Sequence, residues 1–357
     1  MTGGTITSSA KGANAGFSTN SGVLNISGVT IDNKLAVSRG LHATYGGYIN
    51  AYTCHITTES ETSSTIATDR GGGYVKVWNG TAHAEGNNSA VLYSTGEIIA
   101  HQLTGISDVG EICVVEGTNS VEMDSCTMTA GSSKRGMMML QSGSGDASGN
   151  SAAINVTGGT LTVTNSSTPL LEVPTKNIGT LTLTDVTLSV ASGELMKVDY
   201  NTQWSTYGGT GKLVLKTTQD SWTYTGTVDA DSYSNAVVTV SNHVIWNGAV
   251  DTDNNASSTT VTVNDGGTWI LSADSYADKV TNNGAIYLNG HTLYGTVTGN
   301  SAVSGTPTGI NTVMNGKSDA NCNVYSIDGK LVRKNATSFA GLGKGIYLYN
   351  NKKFLVD

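Results

Sequence analysis

The stretch Ile154-Asn155-Val156-Thr157-Gly158-Gly159-Thr160-Leu161-Thr162 decides the fold. Ile154 and Val156 alternate with a polar residue, the period of a strand with one buried face. Two glycines then turn the chain, and Leu161 opens a second alternation seven residues after Ile154. The same phrase stands at four other places. Leu24-Asn25-Ile26 leads to Ile31, Ile49-Asn50-Ala51 to Ile56, Val121-Glu122-Met123 to Met128, and Leu181-Thr182-Leu183 to Leu188. First anchors run Leu24, Ile49, Val75, Ile98, Val121, Ile154 and Leu181, and continue through Leu213, Val238, Val261 and Ile286. A third apolar segment precedes each repeat, as in Gly40-Leu41-His42-Ala43, Ala90-Val91-Leu92-Tyr93 and Met137-Met138-Met139-Leu140.

Three short strands recurring every 23 to 33 residues suit the coil of a β-solenoid. Such a coil cannot bury its inner face alone, so stacked neighbours supply the core. A propeller blade needs about 40–45 residues, which this period does not reach. The Leu-x-x-Leu-x-Leu ladder of a leucine-rich repeat is absent. Composition agrees: of 357 residues 45 are Gly, 3 are Pro and 13% are charged, with Ser, Thr and Asn in place of charge. Those residues compete with a helix backbone and suit strands and turns. The expectation is an all-β chain, a right-handed parallel β-helix with three strands per coil over residues 1–300, a linker over 301–320, and a small antiparallel β unit over 321–357.

The coils resemble the right-handed β-helix passengers of adhesin-like and autotransporter-like surface proteins, within the pectate-lyase-like superfamily. The run Trp269 to Tyr276, followed by Asn289-Gly290-His291-Thr292-Leu293, is similar to the closing coils of those passengers. The last residues resemble a second family. Asn323-Val324-Tyr325-Ser326-Ile327-Asp328-Gly329-Lys330-Leu331-Val332, then Lys344-Gly345-Ile346-Tyr347 and the turn at Asn350-Asn351, resemble the C-terminal sorting domain of the type IX secretion pathway of Bacteroidota. This tail is shorter than the full sorting domain. Together the resemblances imply a secreted or outer-membrane-surface protein of a Gram-negative bacterium. The start, Thr2-Gly3-Gly4-Thr5-Ile6-Thr7, repeats the phrase at Thr157 to Thr162, so the chain is expected to begin in mid-repeat, with a signal peptide removed or upstream.

Several function classes recede. A net charge of −8 with basic residues grouped only at Lys330 to Lys334 and Lys352-Lys353 argues against nucleic acid. No apolar run has the length of a membrane span. Cys54, Cys113, Cys126 and Cys322 form no Cys-x-x-Cys. Cys54 and Cys126 each fall five residues after an anchor, three coils apart. At about 4.8 Å per coil that is roughly 14 Å, too far for a bridge, so both read as small core fillers. The calcium and Arg cluster of polysaccharide lyases and the converging carboxylates of glycosidases are not readable, and no catalytic residue, metal ligand or cofactor is assigned. Asp69-Arg70 beside Gly71-Gly72-Gly73 is the most site-like pair; Asp251-Thr252-Asp253-Asn254-Asn255 reads as a turn, with weak Ca²⁺ binding through its oxygens as the alternative.

A candidate binding face is readable, the alternative being outward aromatics that only fill strand surface by β-propensity. With Ile49 and Val75 inward, their flanking residues point outward. That sets Tyr48 over Tyr74, and Tyr52 over Trp78 and then His101, with Lys76, Glu122 and Asp124 nearby. Exposed aromatics with polar neighbours suit sugar rings, and repetition on adjacent coils suggests a ladder along one polysaccharide. Longer connections at Ser142 to Gly149 and Tyr200 to Gly211 project from the same edge as Thr44 to Gly47, adding Tyr45 and Trp204 as candidates. The expected partner is a polysaccharide or a host or cell-surface glycoprotein, bound without catalysis. A polysaccharide lyase or glycoside hydrolase and a structural stalk are the alternatives.

Overall fold

The computed structural model describes residues 1–132, 134–141, 146–202, 207–305, 317–326, 330–338, 342–349 and 352–356. Among them there is no helix, and none long and apolar enough to cross a membrane. The chain divides into two compact units, Met1–Val303 and Ser304–Asp357. The first is a parallel β-solenoid of about ten turns.

The anchors stack as the alternation requires. Leu24 pairs with Ile49, Ile49 with Val75, Val75 with Ile98, Ile98 with Val121, and Val121 with Ile154. The column continues through Leu181, Leu213, Val238 and Val261. From Ile49 to Val261 these side chains are no more than 1% exposed. Each coil thus hides its apolar face under the next, and the column shares one continuous core with the second alternation at Ile31, Ile56, Met128 and Leu161.

The two alternations belong to one sheet, bent at a single residue. Thr53, Asn79, Gln102, Ser125 and Asp185 hold this corner with φ between 51° and 59°. The next residue turns inward, and Val29, Cys54, Leu103, Cys126 and Val186 fill that position at 1% exposure or less. Cys54 and Cys126 are free, as is Cys113 in the core. In two coils the inward corner is Gly80 or Gly159. A Cβ at Gly80 would stand 2.0 Å from the Cys54 carbonyl oxygen, so only glycine fits there.

A second sheet carries the third segment of each coil, among them Gly16–Thr19, Leu41–Thr44, Ile66–Asp69, Leu92–Ser94, Cys113–Glu116 and Met137–Leu140. It ends at Thr227–Ala230. Beyond Leu213 the chain replaces the second alternation with a third sheet, Trp222–Thr225, Val244–Gly248, Thr268–Leu271 and Ala285–Tyr287. Here the expectation needs one correction. Val261 pairs with Val280, not Ile286, and Ile286 lies against Trp269 in the third sheet. The coil has shortened because the second sheet has dwindled to one bridge between Val228 and Val250. Large inward side chains fill the narrowing end. Tyr224, Trp246 and Trp269 are buried, and the two indoles stack at 5.1 Å while donating to the carbonyls of Gly226 and Gly248, each at 2.9 Å.

The second unit holds an antiparallel sheet of Lys317–Ser326, Leu331–Ser338, Gly345–Tyr349 and Lys352–Val356. The turns read at Asp328-Gly329 and Asn350-Asn351, and the linker phrase Thr306-Pro307-Thr308-Gly309, lie outside the described residues.

Candidate functional site

The anchor register carries its outward neighbours with it. Tyr48 pairs with Tyr74, and Tyr52 with Trp78. Trp78 pairs with His101, and His101 with Asp124. The Tyr48 and Tyr74 rings stack at 4.6 Å and 10°, and Tyr52 and Trp78 at 4.5 Å and 5°. His101 continues the second stack at 5.9 Å and 14°, with Nδ1 3.1 Å from Asp124 Oδ2. Tyr48, Tyr52 and Tyr74 are exposed, and Trp78 and His101 half-buried between their neighbours. Between the two stacks runs a polar column in which Asn50 Nδ2 donates to Asn25 Oδ1 at 2.8 Å, followed by Lys76.

This geometry changes how the face can hold a ligand. Parallel rings one coil apart spend their faces on one another, at about 0.5–1.5 kcal/mol per pair. Hydroxyls and ring edges remain along most of the stack. A ladder of open ring faces, one per coil, is therefore not what the sequence builds. The ring faces that remain belong to the end aromatics of a column, where the series changes size. In the first column Tyr48 and Tyr74 are followed by Glu97, Ser120 and Ala153. The surface steps down from two phenol rings to small side chains.

A groove of about 740 Å³ occupies that step. Tyr74, Glu97, Ser120 and Ala153 line it, together with the bends at Gly71 to Gly73, Thr95-Gly96 and Thr118-Asn119. Its far wall is Asp146, Ala147 and Ser148, the described end of the connection expected to project from this edge. Thr118 N donates to Ser148 O at 2.7 Å, and Gly71 N to Asp146 O at 3.4 Å, tying that wall to the coils. Arg70 Nε lies 3.9 Å from Asp146 Oδ1. Glycines and hydroxyl-bearing residues keep the groove open and polar.

The remaining candidates divide. Tyr45 is 56% exposed at the groove margin, its ring lying over Gly71. Trp204 lies outside the described residues. Tyr200, from the same connection, packs on Tyr233 at 5.0 Å, away from the aromatic stacks in the chain. Asp69 is not paired with the Arg70 guanidinium. It accepts from the Arg70 backbone N at 2.9 Å, and its Oδ2 is 3.2 Å from Arg39 Nη2.

Asp69 belongs to a feature the sequence reading missed: the outward face of the second sheet is covered. The outward column Phe17, His42, Ala67, Tyr93, Val114, Met138 and Glu172 is continuous. Yet His42, Ala67, Val114, Met138 and Glu172 are buried. Arginines from the preceding bends seal it. Arg39 pairs with Asp69 and lies 5.8 Å over the Tyr93 ring, above the gap left by Ala67. Arg135 bridges Glu111 and Glu172, both at 2.9 Å. Burial, with help from Arg39 and Arg70, lowers the His42 pKa to about 3, so the imidazole is neutral. Ala90, Val114, Met138 and Leu140 form a small apolar cluster beneath, with Tyr93 against it.

Asp229, Asp251 and Asp253 bring carboxylate oxygens within 4.8 Å of one another, the one group among the described residues with the spacing of metal ligands. Asp251 Oδ1 already accepts from the backbone N of Asn255 and of Ala256, at 2.9 and 3.1 Å, which is the turn role read from the sequence. Burial raises the Asp229 pKa to about 6.

No protein-family model, no curated protein and no solved structure matches this chain.

Proposed function

We propose that the protein is a secreted, surface-displayed glycan-binding solenoid, adhesin-like and without chemistry of its own. The observation that carries the reading is the conjunction of the exposed Tyr48–Tyr74 stack with the polar groove at its end. An aromatic wall beside hydroxyls, amides and a carboxylate is the usual make-up of a site for a polyhydroxylated ring. The neighbouring Tyr52–Trp78–His101 stack extends the same face, so one chain could touch both. Resemblance of the tail to a sorting domain supports display at the cell surface, where glycans are the abundant polymer. The test is binding of the whole protein to an array of bacterial, plant and host glycans, followed by Tyr74→Ala. Retention on a defined glycan class, lost in the variant with the melting temperature kept, supports the reading. Undiminished binding by the variant refutes the site.

Two observations favour the alternatives. Glu97 and Asp146 share the groove, which favours a hydrolase or lyase. Release of new reducing ends from a retained glycan, abolished by Glu97→Gln, would decide for chemistry. Elsewhere the outward column of the second alternation reads Thr5, Thr30, His55, Thr81, Thr104, Thr127, Thr160 and Thr187. Such a plain hydroxyl face suits a stalk, and the solenoid can be both stalk and bearer of the binding patch.

A further inference from the structure

Resting on the glycan-binding reading, we infer that the groove selects by charge: it takes amine-bearing or neutral sugar residues and turns away uronates, with Glu97 as the specificity-determining residue. Glu97 and Asp146 are the only charged residues that line the groove among the described residues, and both are carboxylates. Arg70, the cation nearest in the chain to these bends, does not line it and is directed to Asp146. Of the groove lining, Glu97 is then the charge beside the Tyr74 ring, one coil along the same outward column, while Lys76, outward two residues from Tyr74, lies outside that lining.

The physical consequence follows from the surroundings. A sugar laid on Ser120 and Ala153 has Glu97 between it and the Tyr74 ring. Its hydroxyls, or an ammonium on the ring, can donate to the carboxylate, and such charge-assisted bonds are about twice as strong as neutral ones. A uronate in the same pose brings a second negative charge close to the first. Opposed charges at an interface act mainly on selection among partners, which is the role assigned here. Glu97 is half-buried, so salt screens the effect only in part.

The experiment uses the whole protein and three immobilised probes of matched length: a glucosamine oligomer, a neutral gluco-oligosaccharide and an oligogalacturonate. The wild type is expected to bind the amine-bearing probe at least tenfold more tightly than the acidic one, with the neutral probe between. Glu97→Gln should weaken the amine-bearing probe by about tenfold, weaken the neutral probe by less, and narrow the gap to the acidic probe. Glu97→Lys should raise binding of the acidic probe above that of the amine-bearing one. Raising the salt from 0.05 to 0.5 M should shrink the wild-type preference. Circular dichroism melting establishes that both variants fold, as expected for an outward side chain. Equal binding of amine-bearing and acidic probes by the wild type, or a preference unchanged in both variants, overturns the inference while leaving glycan binding intact. Failure of all three probes to bind, in a wild type that retains no other glycan, overturns the glycan reading itself.

Discussion

Val121 and Glu122 are adjacent in sequence and opposite in fate, and their substitution tests the stacking register most sharply. Val121 is fully buried between Ile98 and Ile154, while Glu122 is exposed between Ile99 and Asn155. Truncating Val121 to Ala removes two buried carbons, about 1.6 kcal/mol at roughly 0.8 kcal/mol per methylene. The stacked coils on either side cannot collapse far into the space, so a cavity term brings the total to about 2–3 kcal/mol. Val121→Asp should cost more, about 4 kcal/mol or above, because the carboxylate would sit among Ile98, Ile154 and the core with no cation to meet it. Glu122→Val should change stability by no more than about 0.5 kcal/mol, since it only adds a β-branched residue on an outward face. Urea denaturation followed by circular dichroism gives all three, provided the transition is cooperative. Because strand side chains alternate, a register wrong by one residue would exchange the two results. A stable Val121→Asp protein, or a Glu122→Val protein as damaged as Val121→Ala, would refute the column.

Arg135→Ala should destabilise by about 3–5 kcal/mol, because it strands the buried Glu111 and Glu172 carboxylates; calorimetry checks this, and a loss under 1 kcal/mol would mean that the cover of the second sheet is dispensable. His42 should make the fold acid-sensitive. Its folded pKa lies below the ordinary 6.5, so below pH 6.5 the unfolded chain binds a proton that the fold refuses. The lost stability grows by about 1.4 kcal/mol per pH unit below that value and levels off as pH falls through about 3. Asp229, raised to about 6, and Glu194, raised to about 7 by burial, act in the opposite sense, binding protons in the fold and favouring it as pH drops. The clean measurement is therefore a difference. His42→Phe, which keeps a ring against Phe17, should gain roughly 2–3 kcal/mol on the wild type between pH 7 and 4.5. Parallel stability curves for the two proteins would contradict the neutral, buried imidazole.

The aromatic stacks were legible because register is inherited. Once Ile49, Val75 and Ile98 are known to face inward, Tyr48, Tyr74, Tyr52 and Trp78 have no other side to occupy. The same rule failed at Ile286, where Val280-Thr281-Asn282 and Ala285-Ile286-Tyr287 alternate equally well. Only the shortening of the coil, a property of its closure, chooses between them. The covered second sheet had a weak signal. Met137-Met138-Met139-Leu140 is apolar at every position, as a strand buried on both faces should be, and all four residues are buried. What covers it comes from Arg39 and Arg135 in bends whose pattern says nothing of where their side chains lie. The groove had no local signal. It arises from a change of size down one column, Tyr, Tyr, Glu, Ser, Ala, spread over five coils and over a hundred residues of sequence. Sequence gives which rings are neighbours, but not that neighbours at this spacing cover each other.

The Tyr74 end of the aromatic stack, with its groove, is the proposed glycan site. Its most direct test is isothermal titration of the best array ligand against the wild type, Tyr74→Ala and Tyr294→Ala. Tyr294 forms the same kind of exposed stack, with Tyr276 at 4.4 Å, but at the narrow end of the solenoid and away from the groove. If the groove is the site, Tyr74→Ala should lower the affinity at least tenfold while Tyr294→Ala leaves it within twofold, with both variants melting near the wild type. Equal losses in the two variants, or none in either, would contradict it.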